Sequence, residues 1–71
     1  MTQYRNSGSG ISAYEIEDDR IRIRFNSGTT YTYRASRIGQ NHYNRMVELA
    51  LRGAGLNTYI NQNPSVKMGF G

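Results

Sequence analysis

Residues 20–34 read RIRIRFNSGTTYTYR, and this stretch decides the fold. Isoleucine and phenylalanine alternate with arginine before Asn26, and tyrosine alternates with threonine after Gly28. Alternation with a period of two is typical of a strand with one buried face and one solvent face. The stretch therefore predicts a β-hairpin whose turn lies at residues 26–28.

A preceding strand is predicted at residues 11–17, which read ISAYEIE before an Asp18-Asp19 turn. If the two aspartates form a two-residue loop, apolar residues oppose apolar residues and acids oppose arginines. The predicted pairs are Tyr14 with Ile23, Glu15 with Arg22, Ile16 with Ile21 and Glu17 with Arg20. Opposite-charge pairs across strands each contribute roughly 0.2–1 kcal/mol, so this register is also favoured electrostatically.

The length of the second turn is set by the same parity argument. A two-residue loop at Ser27-Gly28 would place apolar residues opposite polar ones and so mix the two faces. A three-residue loop, residues 26–28, instead opposes Phe25 to Thr29 and collects the apolar residues on one face. It also places Gly28 where such hairpins need a left-handed residue. The sequence thus predicts a three-stranded antiparallel meander with residues 20–25 in the middle.

Helical spacing begins at about Gln40. Apolar residues recur at i, i+3, i+4 and i+7, namely Tyr43, Met46, Val47 and Ala50, with Leu49 and Leu51 widening the apolar side. Gly53 or Gly55 supplies a left-handed C-cap. A short second helix is predicted at residues 56–61, with Asn57 as a candidate N-cap and Pro64 beyond its end. The predicted class is α+β: a three-stranded antiparallel β-meander packed on one face by one main helix and a short C-terminal helix.

The two ends of the chain show little apolar pattern. Residues 1–10 include Ser7-Gly8-Ser9-Gly10 and predict a flexible N-terminal arm, with Tyr4 outside the fold. Residues 11–62 then form a single domain and residues 63–71 a loose C-terminal tail. In that tail Val66, Met68 and Phe70 alternate, so a fourth edge strand over residues 65–70 is an open alternative.

Composition excludes several classes of protein. The chain of 71 residues has no cysteine, which excludes disulfides, thiolate zinc sites and cysteine nucleophiles. No apolar run approaches the roughly 20 residues that a membrane span needs, and the polar N-terminus does not resemble a signal peptide. These features predict a cytoplasmic protein without a membrane partner. The net charge is +4, and Lys67 is the only cation that is not arginine.

The arginines are the best candidates for a binding site. The predicted registers place four of them on the solvent face of the meander, and a fifth follows in the connector to the helix: Arg20, Arg22, Arg24, Arg34 and Arg37. Arg20 and Arg34 would lie directly opposite each other, which is destabilising for like charges unless an anion bridges them. Because the arginine fork matches phosphate geometry, this face is the predicted site for nucleic acid.

Several motifs taken together resemble the KTSC domain, a family named for the C-terminal end of some lysyl-tRNA synthetases. They are Ser12-Ala13-Tyr14-Glu15, residues 23–28, Tyr31-Thr32-Tyr33, Tyr43 with Met46, and the glycine-led residues 55–60. The resemblance covers about residues 11–60. It implies an RNA-binding module and supplies no catalytic residues.

Catalytic and metal chemistry find little support. His42, the only histidine, has no carboxylate three or four residues away to orient it, so a solvated helix histidine is predicted. Residues 15–19 hold four acids, but the registers and the turn already account for them. The tyrosines of the hairpin share a face with Ile21 and Ile23, which predicts core positions instead of a stacking platform. We therefore predict no enzyme, no cofactor and no metal.

Two functions are weighed against each other. The first is a small module that binds RNA or single-stranded nucleic acid through the arginine face. The alternative is a protein-interaction or self-assembly module, with a protein partner or a homodimer formed through the sheet edges and through Leu49 and Leu51.

Overall fold

The computed structural model describes residues 1–6, 8 and 10–69. Within them, one antiparallel sheet has its four strands in chain order: β1 (Thr2–Gln3), β2 (Ile11–Ile16), β3 (Arg20–Phe25) and β4 (Thr30–Arg34). The helices of the described chain follow: α1 (Ala35–Ile38), α2 (Gln40–Arg52), α3 (Leu56–Gln62) and α4 (Pro64–Lys67). The α+β class is confirmed, but the predicted three strands are a miscount, since β1 adds a fourth.

The predicted register of β2 and β3 is confirmed. Ile16 pairs with Ile21, Glu15 with Arg22 and Tyr14 with Ile23. The Glu17 N–H donates to the Arg20 carbonyl at 2.9 Å, which closes the two-residue Asp18-Asp19 turn.

The register of β3 and β4 is confirmed as well. Ile21 pairs with Tyr33 and Ile23 with Tyr31. The Phe25 N–H donates to the Thr29 carbonyl at 2.9 Å, so the loop holds three residues, and Gly28 has a φ of 92°. The loop length and its left-handed glycine therefore divide the hairpin into a core face and a solvent face, as parity requires.

A β-bulge in β2 was not predicted. The register shifts between Ile11 and Ala13, where Ile11 pairs with Phe25 and Ala13 with Arg24. Without the extra residue Ile11 would share the solvent face with Glu15, because the two residues have the same parity. The bulge turns Ile11 to the other face, where it is fully buried.

The main helix has the predicted bounds, and its buried residues are Tyr43, Met46, Leu49 and Ala50. It ends at Gly53, whose φ is 79° and whose N–H donates to the carbonyls of Leu49 and Ala50, so the left-handed glycine cap is confirmed. The predicted connector before the helix is itself a helical turn, α1, which buries Ile38.

The start of α3 corrects the predicted N-cap. Gly55, with a φ of 84°, takes the cap position, and Asn57 lies inside the helix. The Leu56 N–H donates to the Tyr4 hydroxyl at 3.2 Å. The hydroxyl of a tyrosine 52 residues earlier in the chain thus accepts an N–H of the first helical turn, as the side chain of a local N-cap residue usually does.

The N-terminal prediction differs from the structure. Thr2 pairs with Tyr14 and Gln3 with Ala13, and Tyr4 is fully buried in the core. The Tyr4 ring meets the Tyr14 ring edge to face with centroids 6.4 Å apart. Tyr4 is thus inside the fold, where its ring packs on Tyr14 and its hydroxyl reaches the start of α3. Ser7 and Ser9 of the predicted arm lie outside the described residues.

The C-terminal alternative of an edge strand is also corrected. Residues 64–67 form α4, with Pro64 in its first turn and Val66 fully buried. Proline favours the first helical turn because its φ is preset and it needs no N–H partner there. The alternation of Val66 and Met68 was therefore a misleading signal; Phe70 and Gly71 lie outside the described residues. No helix in the described ranges has the length and apolarity that a bilayer crossing requires.

Candidate nucleic-acid interface

The solvent face of the sheet carries the predicted site. Residues Ile21, Ile23 and Tyr33 are buried in the core, so the side chains that alternate with them lie on the opposite face. This open face holds Glu15, Glu17, Arg20, Arg22, Arg24, Thr30, Thr32 and Arg34. Four of the five predicted site arginines therefore share one surface, and Arg37 follows in α1.

Acids neutralise the half of this face nearest the β2–β3 turn. Arg22 lies 3.5 Å from Glu15 and 3.7 Å from Glu17, and Arg20 lies 3.5 Å from Glu17. All four side chains are partly exposed, and ion pairs of this kind stabilise little. Their main effect is to lower the positive potential around Arg20 and Arg22.

Asp19 relieves the repulsion between Arg20 and Arg34, which do pair directly across the strands. The Arg20 Nε donates to an Asp19 carboxylate oxygen at 3.0 Å. This hydrogen bond, followed by the charges of Arg20 and Arg34, lowers the pKa of Asp19. The same bond raises the pKa of Arg20. Asp19 thus offsets the charge of Arg20 from within the chain, whereas Arg34 lies beyond ion-pair distance of it.

Three site arginines remain open. Within the described ranges, no carboxylate lies within the 4.0 Å ion-pair distance of Arg24, Arg34 or Arg37. Arg24 pairs with Ala13 and Thr30, four residues or about 13 Å along β3 from Arg20. The open arginines are therefore spread over the face: Arg24 lies at the end of β3 far from the acidic turn, and Arg34, which pairs with Arg20, lies beside that turn just before α1.

No protein-family model, curated protein or solved structure matches this chain. The resemblance to the KTSC domain thus stays a prediction from the motifs.

The tyrosines of the sheet lie mainly in the core. Tyr33 is buried, and this burial, with a smaller effect of Tyr31, raises its pKa to about 12. The Tyr43 hydroxyl donates to the Glu17 carbonyl. Burial raises the pKa of Tyr43, and the nearby acids of the turn, with Asp19 foremost, add to the effect. These rings are therefore structural, and Tyr31 is the half-buried exception.

His42 is less solvated than predicted. It is half-buried, and its Nδ1 is hydrogen-bonded to the Tyr59 hydroxyl at 2.6 Å. The two rings meet edge to face with centroids 5.8 Å apart. In the described part of the chain, no three histidine, aspartate or glutamate side chains are grouped so as to hold a metal ion.

Two surface depressions escaped the sequence analysis. One is a groove of about 370 Å³ between the core side of the β3–β4 hairpin and helices α3 and α4. Its lining includes Phe25, Tyr31, Asn57, Asn61, Lys67 and Met68. The other lies beside β1 and is lined in part by Met1, Ile16 and Leu51. Both combine residues far apart in the chain, so no local pattern could have indicated them.

Proposed function

We propose that this protein is a non-catalytic module that binds RNA or single-stranded nucleic acid through the arginine face of its sheet. One observation carries the proposal: Arg24 and Arg34 on the sheet face, and Arg37 in the helical turn after β4, have no ion-pair partner among the described residues. The absence of cysteine favours a cytoplasmic setting for this activity.

The proposed mode of binding is electrostatic. Arg24 and Arg34 lie at opposite ends of the paired strands β3 and β4, so their guanidinium groups contact separate phosphates of one polynucleotide strand. Each phosphate contact releases counterions, and the logarithm of the affinity then falls with the logarithm of salt with a slope near −0.7 per contact on single strands. Arg20 and Arg22 contribute less than the open arginines, since acids already engage them.

The test is the affinity for a short labelled single-stranded RNA, measured by fluorescence anisotropy over a range of salt. The double variant Arg24→Gln/Arg34→Gln should bind more weakly and reduce the magnitude of the salt slope by about 1.4, two contacts at 0.7 each. The matched control is Arg5→Gln/Arg52→Gln, which removes the same charge from two arginines that also have no ion-pair partner among the described residues and lie outside the β3–β4 hairpin. Equal losses in both double variants, or an affinity independent of salt, would contradict the proposal.

A companion variant tests the electrostatics from the opposite side. Asp19→Asn removes the carboxylate that is bonded to Arg20 and that also lowers the positive potential near Arg34, so it should strengthen binding of the RNA. Asp18→Asn removes the same charge from the same turn without the bond to Arg20, and it should have the smaller effect.

A second candidate function rests on an exposed apolar patch. Met1 is 49% exposed, Ile16 37% and Leu51 64%, and all three line the depression beside β1. Clustered exposed apolar residues are typical of protein-docking surfaces. The self-assembly hypothesis from the sequence also named Leu49, but this residue is buried. Leu51 is therefore the candidate contact on α2. If this patch mediates self-association, sedimentation should show a concentration-dependent mass that Leu51→Gln abolishes.

A further inference from the structure

The groove under the β3–β4 hairpin has two kinds of wall. One is apolar and aromatic: Phe25 and Tyr31 meet edge to face with centroids 5.5 Å apart, and Ile60 and Met68 lie across from the hairpin. The other is polar: Asn57 and Asn61 line it from α3, where the Asn61 Nδ2 donates to the Asn57 Oδ1 at 3.4 Å. The volume of about 370 Å³ lies within the range of small-molecule sites.

These walls fit a flat heteroaromatic ring joined to an anion. The Tyr31 ring offers a face for stacking, the Met68 thioether makes favourable contacts with aromatic rings, and the Asn61 carboxamide carries an acceptor oxygen and a second N–H for the edge of a base. Lys67 lines the same groove and supplies a positive charge for a phosphate attached to that ring. The groove therefore fits a nucleotide better than a purely apolar ligand, because it offers a ring and a carboxamide to the base and a lysine to the phosphate.

The groove and the arginine face are two sides of one hairpin. Arg24 and Thr30 lie on the solvent face, and their chain neighbours Phe25 and Tyr31 line the groove. β4 is the last strand in the sheet order, so among the described residues no further strand covers its outer edge. Only about one strand width, roughly 4.8 Å, separates β3 from this edge. A polynucleotide can thus pass over β4 from one side to the other.

We propose that the groove receives one unstacked base of a single-stranded nucleic acid whose phosphates lie on the arginine face. The proposal rests on the proposed function and adds the form of the ligand. A duplex keeps its bases stacked and paired, so it cannot place a base in the groove.

The test compares three labelled probes of equal length: a single-stranded RNA, an abasic phosphodiester backbone and an RNA duplex. Tyr31→Leu keeps an apolar side chain and removes the stacking ring, so it should weaken binding of the single strand by about 5- to 100-fold. Binding of the abasic backbone should not change. The matched control is Tyr59→Leu, which removes another half-buried tyrosine ring that does not line the groove.

The possible results separate the two proposals. If the single strand and the abasic backbone bind equally well, or the duplex binds as tightly as the single strand, the groove proposal is wrong and the arginine proposal survives. If no probe binds at low salt, both fail.

A second measurement needs no variant at the stacking ring. Titration of the native protein with a nucleoside monophosphate should shift the side-chain amide signals of Asn57 and Asn61, and Lys67→Gln should weaken this binding. Unmoved amide signals at saturating nucleotide would overturn the proposal. The same titration is made with Phe70→Ala. If nucleotide binds this variant and does not bind the native protein, the groove is a site for the chain's own C-terminus and the proposal is wrong.

Discussion

The Tyr4 hydroxyl lies where the first N–H of α3 has no carbonyl partner within its own helix. It accepts the Leu56 N–H at 3.2 Å, and both residues are fully buried. A buried N–H without a partner is costly, so this single contact ties the N-terminal segment to the helical layer.

Tyr4→Phe should lower the free energy of unfolding by about 1–3 kcal/mol, because the ring stays and the Leu56 N–H loses its acceptor. Denaturant unfolding followed by circular dichroism measures the change. Gln3→Ala, an exposed substitution in β1, is the control and should cost far less. A Tyr4→Phe variant as stable as the native protein would show that another group satisfies this N–H.

At the level of elements, glycines with positive φ decide where strands and helices end. Gly28 closes the β3–β4 hairpin at a φ of 92°, and Gly53 ends α2 at 79°. The two differ in their surroundings. A Cβ on Gly28 would meet nothing within 4 Å, whereas a Cβ on Gly53 would lie 2.5 Å from the Arg5 Cβ. Gly53 thus has two roles: it adopts the left-handed conformation of the helix cap, and its lack of a Cβ leaves room for Arg5 of the N-terminal segment.

Gly53→Ala should destabilise the protein more than Gly28→Ala. A left-handed alanine lowers the free energy of unfolding by about 1–2 kcal/mol in each variant. Only Gly53→Ala must also displace Arg5. Thermal unfolding of both variants separates the two contributions. Equal losses of stability would mean that residue 5 moves aside without cost.

On the scale of the whole molecule, one core is closed from both ends of the chain. Tyr4 enters it from the N-terminal side and Val66 from α4, and both are fully buried. A domain of 71 residues has little apolar area to spare, so these two contributions matter to its net stability. Tyr33 lies on the core face of β4, and because its hydroxyl ionises less readily when it is buried, its ionisation depends on an intact core.

Stability should fall in alkaline solution. The pKa of Tyr33 is about 12 in the folded protein against an ordinary value of 10.0, so the unfolded chain loses this proton first. The free energy of unfolding should then decrease as the pH rises from about 10 through about 12, by on the order of 2–3 kcal/mol. Denaturant unfolding between about pH 8 and 12 measures the decline.

Tyr33→Phe removes this ionisation, so the variant should decline less than the native protein over the same pH range. Tyr59→Phe removes a tyrosine hydroxyl that lies outside the sheet, on α3, and it serves as the control for the loss of one hydroxyl. A steep decline that is the same in all three proteins would assign the alkaline transition to other groups.

The sequence by itself determined the meander, its two turns, both strand registers, the span of α2 and its glycine cap. It also placed four of the five candidate arginines on one face. All of these follow from strand alternation, loop length and helical periodicity, which act between residues that are close in the chain.

Only the tertiary structure decided the positions of Tyr4 and Val66, the hydrogen bond of Asp19 to Arg20, and the groove beneath the hairpin. A lone tyrosine in a polar segment has no neighbours that form a pattern with it. Whether it is buried depends on the space left between a sheet and a helix that are distant in the chain. The groove could not be predicted from the sequence for the same reason, since its walls come from a hairpin and from two helices that follow more than 20 residues later.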